Sequence, residues 1–298
     1  MLGLPETTKA CLFDLDGVLT DTAVLHNTAW KTMFDAFLTA RGEPPFDPIK
    51  DYQQYVDGRK REDGVRTFLA SRGISLPEGT PADPPQAETV HGLSARKNVL
   101  LLELIARQGV EVFPGSVDYV RAVRAAGLHT AVVSSSANTV QVLQSVGISG
   151  LFDARIDGVV ARRRRLPGKP EPDTFLAGAA ALDVPAGFCA VFEDALAGVE
   201  AGRAGRFGTV VGVDRLQDGV HGPALKAHGA DLVVGDLSEL LEQLWTFPTR
   251  STPGASGRPP WTWTGSPRPS RSSPCPTGTS ECAATWTRGS RTGCPAPI

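Results

Sequence analysis

The sequence predicts an α/β fold, in which a doubly wound parallel sheet forms the core and a helical cap domain is inserted after the first strand. Short apolar runs bounded by polar residues or glycine alternate with helical stretches, as in parallel strands that are covered on both faces. More than a hundred residues separate the first apolar run from the second, which is too many for a single crossover connection. The composition changes abruptly near residue 248, which predicts a third, unlike segment at the C-terminus.

Five apolar runs are predicted to be strands. The first lies at the start of the chain, and the other four follow the long insertion. Each run is four to seven residues long and ends near polar or glycine positions, so each fits a strand buried inside a sheet. The five predicted strands are residues 10–15, 128–134, 189–193, 209–213 and 231–234.

The inserted region is predicted to be helical. Apolar residues recur at intervals of three and four positions in residues 22–39, 61–71 and 94–108. A loop rich in proline and glycine, residues 76–85, separates the second of these stretches from the third. The predicted domains are a core of residues 1–21 and 106–247 and a helical cap of residues 22–105.

Residues 248–298 have a different composition from the rest of the chain. They hold ten of the 24 prolines and contain no lysine, leucine or valine. Without aliphatic residues the segment has no face to bury, so burial cannot offset the entropy lost on ordering. We therefore predict that this segment is disordered or loosely attached and has no catalytic role. Two origins stay open: a natural basic, proline-rich linker or interaction segment, or translation of a shifted reading frame of GC-rich coding sequence.

The composition of the whole chain is that of an ordinary globular protein. Hydrophobic residues make up 41% and the formal net charge is −2, which excludes a polybasic nucleic-acid binder. No apolar run approaches the length of a membrane span, and the N-terminus lacks the basic and apolar segments of a secretory signal. The five cysteines form no CxxC pair that would indicate a zinc site. We therefore expect a cytoplasmic monomer whose partners are small molecules, with neither nucleic acid nor membrane among them.

Two carboxylates follow the first predicted strand. Asp14 and Asp16 are two residues apart, so on an extended chain they point to the same side, at the carboxyl edge of the sheet. Like charges this close repel unless a cation or a proton lies between them. Oxygen ligands together with a phosphate substrate favour Mg²⁺, and Gly17 allows a turn sharp enough to present backbone amides to an anion. The pair therefore predicts a magnesium site for a phosphorylated substrate.

The string FDLDGVLTDT at residues 13–22 resembles the first motif of the haloacid dehalogenase superfamily of phosphotransferases. The other three motifs occur in order, so the resemblance covers roughly residues 8–245. It implies a Rossmann-like core, phosphoryl transfer and a Mg²⁺ cofactor. The later motifs are the strand end Ser134, Lys169 in the string GKPEPD, and the acidic pair Glu193 and Asp194.

The resemblance also implies a role for each of these residues. Asp14 would be the nucleophile that carries the phosphoryl group as an aspartyl phosphate, and Asp16 would be the general acid and base. Ser134 and Lys169 would balance charge on the phosphoryl oxygens. The implied Mg²⁺ ligands are Asp14, the backbone carbonyl of Asp16, Glu193 and Asp194.

Within this superfamily, residues of the cap resemble those of the β-phosphoglucomutases. Arg61 would grip the distal phosphate of a sugar bisphosphate with two parallel hydrogen bonds. His26 and Lys97 would lie by the hinge and couple closure of the cap to the placement of Asp16. The other implied substrate contacts are Thr22, Ser135, Ser136 and Asn138.

The implied reaction interconverts β-D-glucose 1-phosphate and glucose 6-phosphate through an aspartyl phosphate and a sugar bisphosphate. Two alternatives stay open: a sugar-phosphate phosphatase that uses water as the acceptor, and a catalytically inactive phosphosugar-binding module. The residues do not identify the sugar. The four consecutive arginines at 162–165 are not explained by the resemblance; a charged run of this kind is typical of a solvated loop, and near the site it could attract an anionic substrate.

Overall fold

The computed structural model describes residues 2–242, which form a six-stranded parallel sheet with helices on both faces. The strands are β1 (Ala10–Phe13), β2 (His129–Val133), β3 (Ala154–Ile156), β4 (Cys189–Glu193), β5 (Thr209–Val213) and β6 (Leu232–Val234). Their order in the sheet is β3-β2-β1-β4-β5-β6, and every neighbouring pair is parallel. This order confirms the predicted doubly wound sheet, with β1 at its centre.

Helices connect the strands and build the inserted region. A π-helix, Tyr52–Val56, follows the first α-helix. The α-helices of the described residues are α1 (Ala23–Thr39), α2 (Arg61–Ser71), α3 (Val90–Gln108), α4 (Pro114–Ala125), α5 (Thr139–Ser145), α6 (Gly158–Arg164), α7 (Asp173–Ala181), α8 (Leu196–Ala204), α9 (His221–Ala227) and α10 (Glu239–Glu242).

The five predicted strands are confirmed to within two residues at each end, but β3 is missing from the prediction. This strand has only three residues, of which Ile156 is buried and Arg155 is exposed. A strand this short at the edge of a sheet contributes no apolar run that a sequence pattern could reveal.

Alternate residues of β1 contribute to two hydrophobic clusters on opposite faces of the sheet. Ala10 and Leu12 pack with α7, α8 and α9, whereas Cys11 and Phe13 pack with α4, α5 and α10. The Phe13 ring also stacks on Phe192 of β4, with ring centroids 4.5 Å apart. Both faces of β1 are therefore buried, as its continuous apolar run predicts.

The helices inserted after β1 have a hydrophobic cluster of their own. Its rings include Trp30 and Phe34 of α1 and Phe68 of α2, with the centroids of Phe34 and Phe68 4.1 Å apart. Helix α3 begins four residues earlier than predicted because the Thr89 side chain caps it, accepting a hydrogen bond from the backbone N–H of Gly92 at 2.9 Å. The cap boundaries at residues 22 and 105 stay a prediction.

Two connections join the inserted helices to the sheet, and they run side by side. Thr20 forms an isolated bridge with Val112, and the Asp21 N–H donates to the Glu111 carbonyl at 3.0 Å. The hinge between the helices and the sheet therefore consists of two paired backbone segments.

Two further findings concern predictions made for the chain as a whole. Among residues 2–242, none of the helices combines the length and the apolar composition that a membrane span requires. Cys11 and Cys189 are buried free thiols, as expected for residues in apolar runs. The predicted segment 248–298 lies outside the described residues.

Candidate active site

Asp14 and the turn after it lie at the carboxyl end of β1. The Asp14 N–H donates to the Phe192 carbonyl at 2.9 Å, which extends the pairing of β1 with β4, and the Asp14 side chain is buried. Gly17 then adopts a φ of +82°, and the carboxylate of Asp194 occupies the space that a Cβ at Gly17 would need. The first motif therefore packs directly against the fourth.

Lys169 joins three motifs in the interior. Its ammonium donates to Asp14 Oδ1 at 2.6 Å, to Glu193 Oε1 at 2.5 Å and to the Val133 carbonyl at 3.3 Å. Burial by itself would lower the pKa of Lys169, but the charges of Asp14 and Glu193 outweigh burial and raise it. Lys169 is therefore a fixed cation whose three N–H bonds are all used.

Three carboxylates form a cluster beside this ammonium. Ligand atoms of Asp14, Glu193 and Asp194 all lie within 4.8 Å of one another. Glu193 is held in place by the Ala195 N–H, which donates to its Oε2 at 2.9 Å, and by Gly198, where a Cβ would collide with the carboxylate.

Electrostatics show that this cluster lacks positive charge. Burial, and then the charges of Glu193 and Asp16, raise the pKa of Asp14, while Lys169 opposes the rise. Burial raises the pKa of Asp194 as well, followed by the charges of Asp57 and Glu193. One ammonium among three carboxylates leaves a net negative charge, which a divalent cation bound by oxygen ligands would neutralise. The donor set therefore fits a divalent metal ion.

Asp16 is held apart from the carboxylate cluster by hydroxyl donors. The Thr22 hydroxyl donates to its Oδ1, and the Ser134 hydroxyl lies 3.4 Å from its Oδ2. His26 Nε2 lies 3.6 Å from Oδ1. The side chain of Asp16 thus faces the cavity between the sheet and the inserted helices, on the same side as Asp14.

The inserted helices contribute cations to the other side of this cavity. Nζ of the fully buried Lys97 lies 3.1 Å from His26 Nδ1. When Lys97 is protonated it donates this hydrogen bond, and the proton of a neutral His26 is then on Nε2, which faces Asp16. Burial, and then the charge of Lys97, lower the pKa of His26 to about 4. Burial, and then the charge of Arg61, lower the pKa of Lys97 to about 7. Arg61 donates to the Ser94 carbonyl at 3.2 Å.

The loop after β2 closes the mouth of the cavity. The Ser135 hydroxyl donates to the Gly58 carbonyl at 2.7 Å, and the Asn138 amide donates to Asn98 Oδ1 at 3.0 Å. The Ser136 N–H donates to the Ser134 hydroxyl at 3.0 Å, which orders the loop itself. The space left for the centres of water molecules is only about 40 Å³, so the inserted helices are closed over the sheet.

The structure brings the sequence-predicted residues together in two layers. Those that line the cavity are Asp14, Asp16, His26, Arg61, Lys97, Ser135, Ser136, Asn138 and Asp194. The others lie behind the lining and hold it in place: Thr22, Ser134, Lys169 and Glu193.

Asp57 also lines the cavity and is absent from the sequence prediction. Burial, followed by the charge of Glu193, raises the pKa of Asp57 to about 7, and the Tyr52 hydroxyl opposes this rise. The residue directly precedes Gly58, whose backbone has a φ of +68° and whose Cβ, if present, would lie 2.8 Å from the Ala195 side chain. No local pattern marks Asp57, because only the close approach of the neighbouring Gly58 to Ala195 brings it to the site.

Comparisons with known proteins agree with this geometry. The family model of haloacid dehalogenase-like hydrolases matches residues 8–206. A β-phosphoglucomutase of Mycobacterium tuberculosis (strain CDC 1551 / Oshkosh) is 56% identical over 247 residues, which cover 81% of this chain and 94% of that protein. The β-phosphoglucomutase of Bacillus subtilis (strain 168) is 33% identical over 237 residues, covering 79% and 93% respectively.

A solved structure shows the same likeness in three dimensions. The crystal structure of β-phosphoglucomutase from Clostridium difficile superimposes with a TM-score of 0.62 at 27% identity and covers 78% of this chain and 93% of that one. These similarities argue against the inactive binding module. The chain therefore belongs to the haloacid dehalogenase-like hydrolase family and, by its similarity to the β-phosphoglucomutases, is an enzyme of the phosphotransferase and isomerase type.

Proposed function

We propose that this enzyme interconverts β-D-glucose 1-phosphate and glucose 6-phosphate, through a phosphorylated Asp14 and a sugar bisphosphate. The observation that carries the proposal is the pair of cations Arg61 and Lys97, which face the cavity of Asp14 from the opposite side. Neither has a carboxylate within ion-pair distance among residues 2–242. Buried cations without a counterion favour an anion, so the cavity suits a substrate with a phosphate at each end.

The first half-reaction transfers a phosphoryl group from the sugar bisphosphate to Asp14 and leaves glucose 6-phosphate. A carboxylate oxygen of Asp14 attacks the phosphorus, and the bond between phosphorus and the sugar oxygen breaks. Asp16 gives a proton to that leaving oxygen as the bond breaks, since its carboxyl group faces the same cavity. Lys169 and the Ser134 hydroxyl lie where they would balance charge on the phosphoryl group.

In the second half-reaction, the 6-hydroxyl of β-D-glucose 1-phosphate takes the phosphoryl group from Asp14, and the sugar bisphosphate forms again. A sugar hydroxyl attacks the phosphorus of phosphorylated Asp14, and Asp16 takes the hydroxyl proton as the bond to Asp14 breaks. His26 Nε2 lies 3.6 Å from Asp16 Oδ1, and Lys97 orients the His26 ring, so the cap helices would position the general acid and base. Closure of the cap thereby completes the catalytic arrangement.

Mg²⁺ is the proposed metal, and its ligands would be Asp14, Glu193, Asp194 and the backbone carbonyl of Asp16. Three carboxylates with hard oxygen atoms and a phosphate substrate support this choice. When bound, the ion would neutralise the carboxylates and the oxygens of the transferring group.

A single assay separates the mutase from the phosphatase. β-D-Glucose 1-phosphate is incubated with Mg²⁺ and a trace of β-D-glucose 1,6-bisphosphate, and glucose 6-phosphate and free phosphate are measured in the same tube. We expect glucose 6-phosphate with almost no free phosphate, and neither product from the Asp14→Asn variant. Phosphate release with little isomerisation would instead identify a phosphatase.

A further inference from the structure

Next to the catalytic cavity, a second cleft lies between α2 on the cap side and α6 on the sheet side. Its inner part leaves about 200 Å³ for the centres of water molecules, compared with about 40 Å³ in the catalytic cavity. Arg61 and Ser135 line both spaces, so the two spaces meet at these residues. Its wider outer part, of about 670 Å³, continues between α2 and the segment from Ala161 to Glu171. We call these two parts together the outer cleft.

The outer cleft is strongly basic in a protein that is otherwise acidic. Residues 2–242 contain 24 lysines and arginines against 31 aspartates and glutamates. The cleft reverses this balance, with three acidic residues among its lining, Glu62, Asp63 and Glu171. Its basic lining consists of Arg59, Lys60, Arg61, Arg66, Arg162, Arg165 and Lys169.

The basic side chains of the outer cleft differ in how firmly they are paired. Arg66 forms ion pairs with Asp63 and Glu78, and Lys60 donates to a backbone carbonyl. Arg162 forms an ion pair with Glu62 at 3.5 Å, but its side chain is 57% exposed, so water screens this pair. Arg165 has no carboxylate within ion-pair distance among the residues that the structure describes. Arg165 and the exposed Arg162 therefore supply positive charge along the outer cleft.

The proposed reaction suggests a role for the positive charge of the outer cleft. A bisphosphate formed at Asp14 must present its other phosphate to Asp14 before the product can form, so the sugar has to turn around. The closed cavity has far too little room for that turn. The bisphosphate therefore has to move outward, and the outer cleft is the basic space that adjoins Arg61 and Ser135.

We propose that the outer cleft, through Arg162 and Arg165, retains the sugar bisphosphate between the two half-reactions, an inference that rests on the proposed mutase function. Retention by charge raises the chance that the intermediate re-enters the cavity rather than escaping into solution. The ligand is thus a phosphorylated sugar with two dianionic groups, held loosely at an exposed site.

The four consecutive arginines also provide a matched control for a mutational test. Arg162 and Arg165 line the outer cleft, whereas Arg163 and Arg164 do not. The double variants R162Q/R165Q and R163Q/R164Q therefore remove the same charge from the same segment. For each, we would measure the β-D-glucose 1,6-bisphosphate concentration that gives half-maximal activation of β-D-glucose 1-phosphate turnover, at low salt and with 0.3 M KCl.

For R162Q/R165Q we expect an increase of about three- to tenfold in the half-activating concentration at low salt, with kcat at saturating bisphosphate unchanged. High salt should reduce the difference from the wild type, because exposed charges are screened. R163Q/R164Q should match the wild type. Equal increases in both double variants, or no increase in either, would overturn the proposal.

The same measurement separates this inference from the proposed function. If the enzyme is a phosphatase, the bisphosphate activates neither the wild type nor the variants. If only the outer cleft is misassigned, the wild type is activated and R162Q/R165Q behaves like R163Q/R164Q.

Discussion

The ammonium of Lys169 lies 2.6 Å from Asp14 Oδ1, although the two residues are 155 positions apart in the chain. On its other side the ammonium contacts Glu193, so one buried cation lies between two buried carboxylates. Parallel pairing of β1 with β4 brings Asp14 and Glu193 to one edge of the sheet, and Lys169, in the segment between α6 and α7, contacts both of them there. The stability of the core and the chemistry of the site therefore depend on the same ion pairs.

Replacement of this cation should affect both properties. In Lys169→Met, two buried carboxylates lose their counterion, and we expect the free energy of unfolding to fall by about 3–5 kcal/mol. Turnover should fall by about a hundredfold or more, because charge on the transferring group is no longer balanced. Urea denaturation and the mutase assay measure the two effects. Mg²⁺ should restore part of the stability and little of the turnover, and an unchanged denaturation midpoint without Mg²⁺ would contradict this account.

The contact between Gly17 and Asp194 leads to a second prediction. In Gly17→Ala, the new methyl group would take the space of the Asp194 carboxylate and displace this proposed metal ligand. We expect the Mg²⁺ concentration for half-maximal activity to rise by about tenfold or more, in line with losses seen when metal-site supports are removed.

Gly42→Ala is the matched control for this variant. Gly42 has a φ of +69°, close to the +82° of Gly17, but no atom within 4 Å of an added Cβ. It should therefore suffer the backbone strain alone, with a lower melting temperature and an unchanged response to Mg²⁺. A similar Mg²⁺ response in both variants would show that strain, and not the contact with Asp194, is responsible.

Burial of the charged Lys97 side chain should lower the free energy of unfolding, although the charge is needed for function. Its side chain is fully buried and its pKa is about 7 in the folded chain, compared with 10.5 in the unfolded one. Between these values the unfolded chain binds a proton that the folded chain lacks, so the free energy of unfolding rises with pH. Below pH 7 the full cost of burying the charge is present.

Lys97→Met should remove this dependence. We expect the variant to be more stable than the wild type at pH 7, by about 1–3 kcal/mol, and to lose most of its activity. Urea denaturation at pH 6.5 and pH 9 tests the first statement. A difference in stability between the wild type and Lys97→Met that is the same at both pH values would contradict the assignment, because the other titrating groups are common to the two proteins.

The same residue should make substrate binding depend on pH. Only the protonated amine attracts the distal phosphate, so KM for β-D-glucose 1-phosphate should rise by up to about tenfold per pH unit above pH 7. The phosphate is a dianion over this range and adds no dependence of its own. Measured KM values between pH 6.5 and 9 give the profile. Lys97→Arg, which stays charged, should flatten the profile, and an equally steep rise in that variant would assign the effect to another group.

Several parts of the site could be predicted because they depend on local spacing. Asp14 and Asp16 lie two residues apart at the end of an apolar run, and alternation along a strand places them on the same side of one edge of the sheet. Other parts carried no local signal. Asp57 ends a π-helix and acquires its shifted pKa only because the inserted helices bury it near Glu193.

The sequence by itself determined five of the six strands, the inserted helices and the acidic edge of the sheet. Each of these follows from the periodicity of apolar residues or from residues close together in the chain. The tertiary structure alone decided which charges are paired. It placed Lys169 between two carboxylates and left Arg61, Lys97 and Arg165 without one among the described residues. Burial and the distances between segments that are remote in the chain set the electrostatic free energy of a charged side chain. Both depend on tertiary packing, which the local sequence does not show.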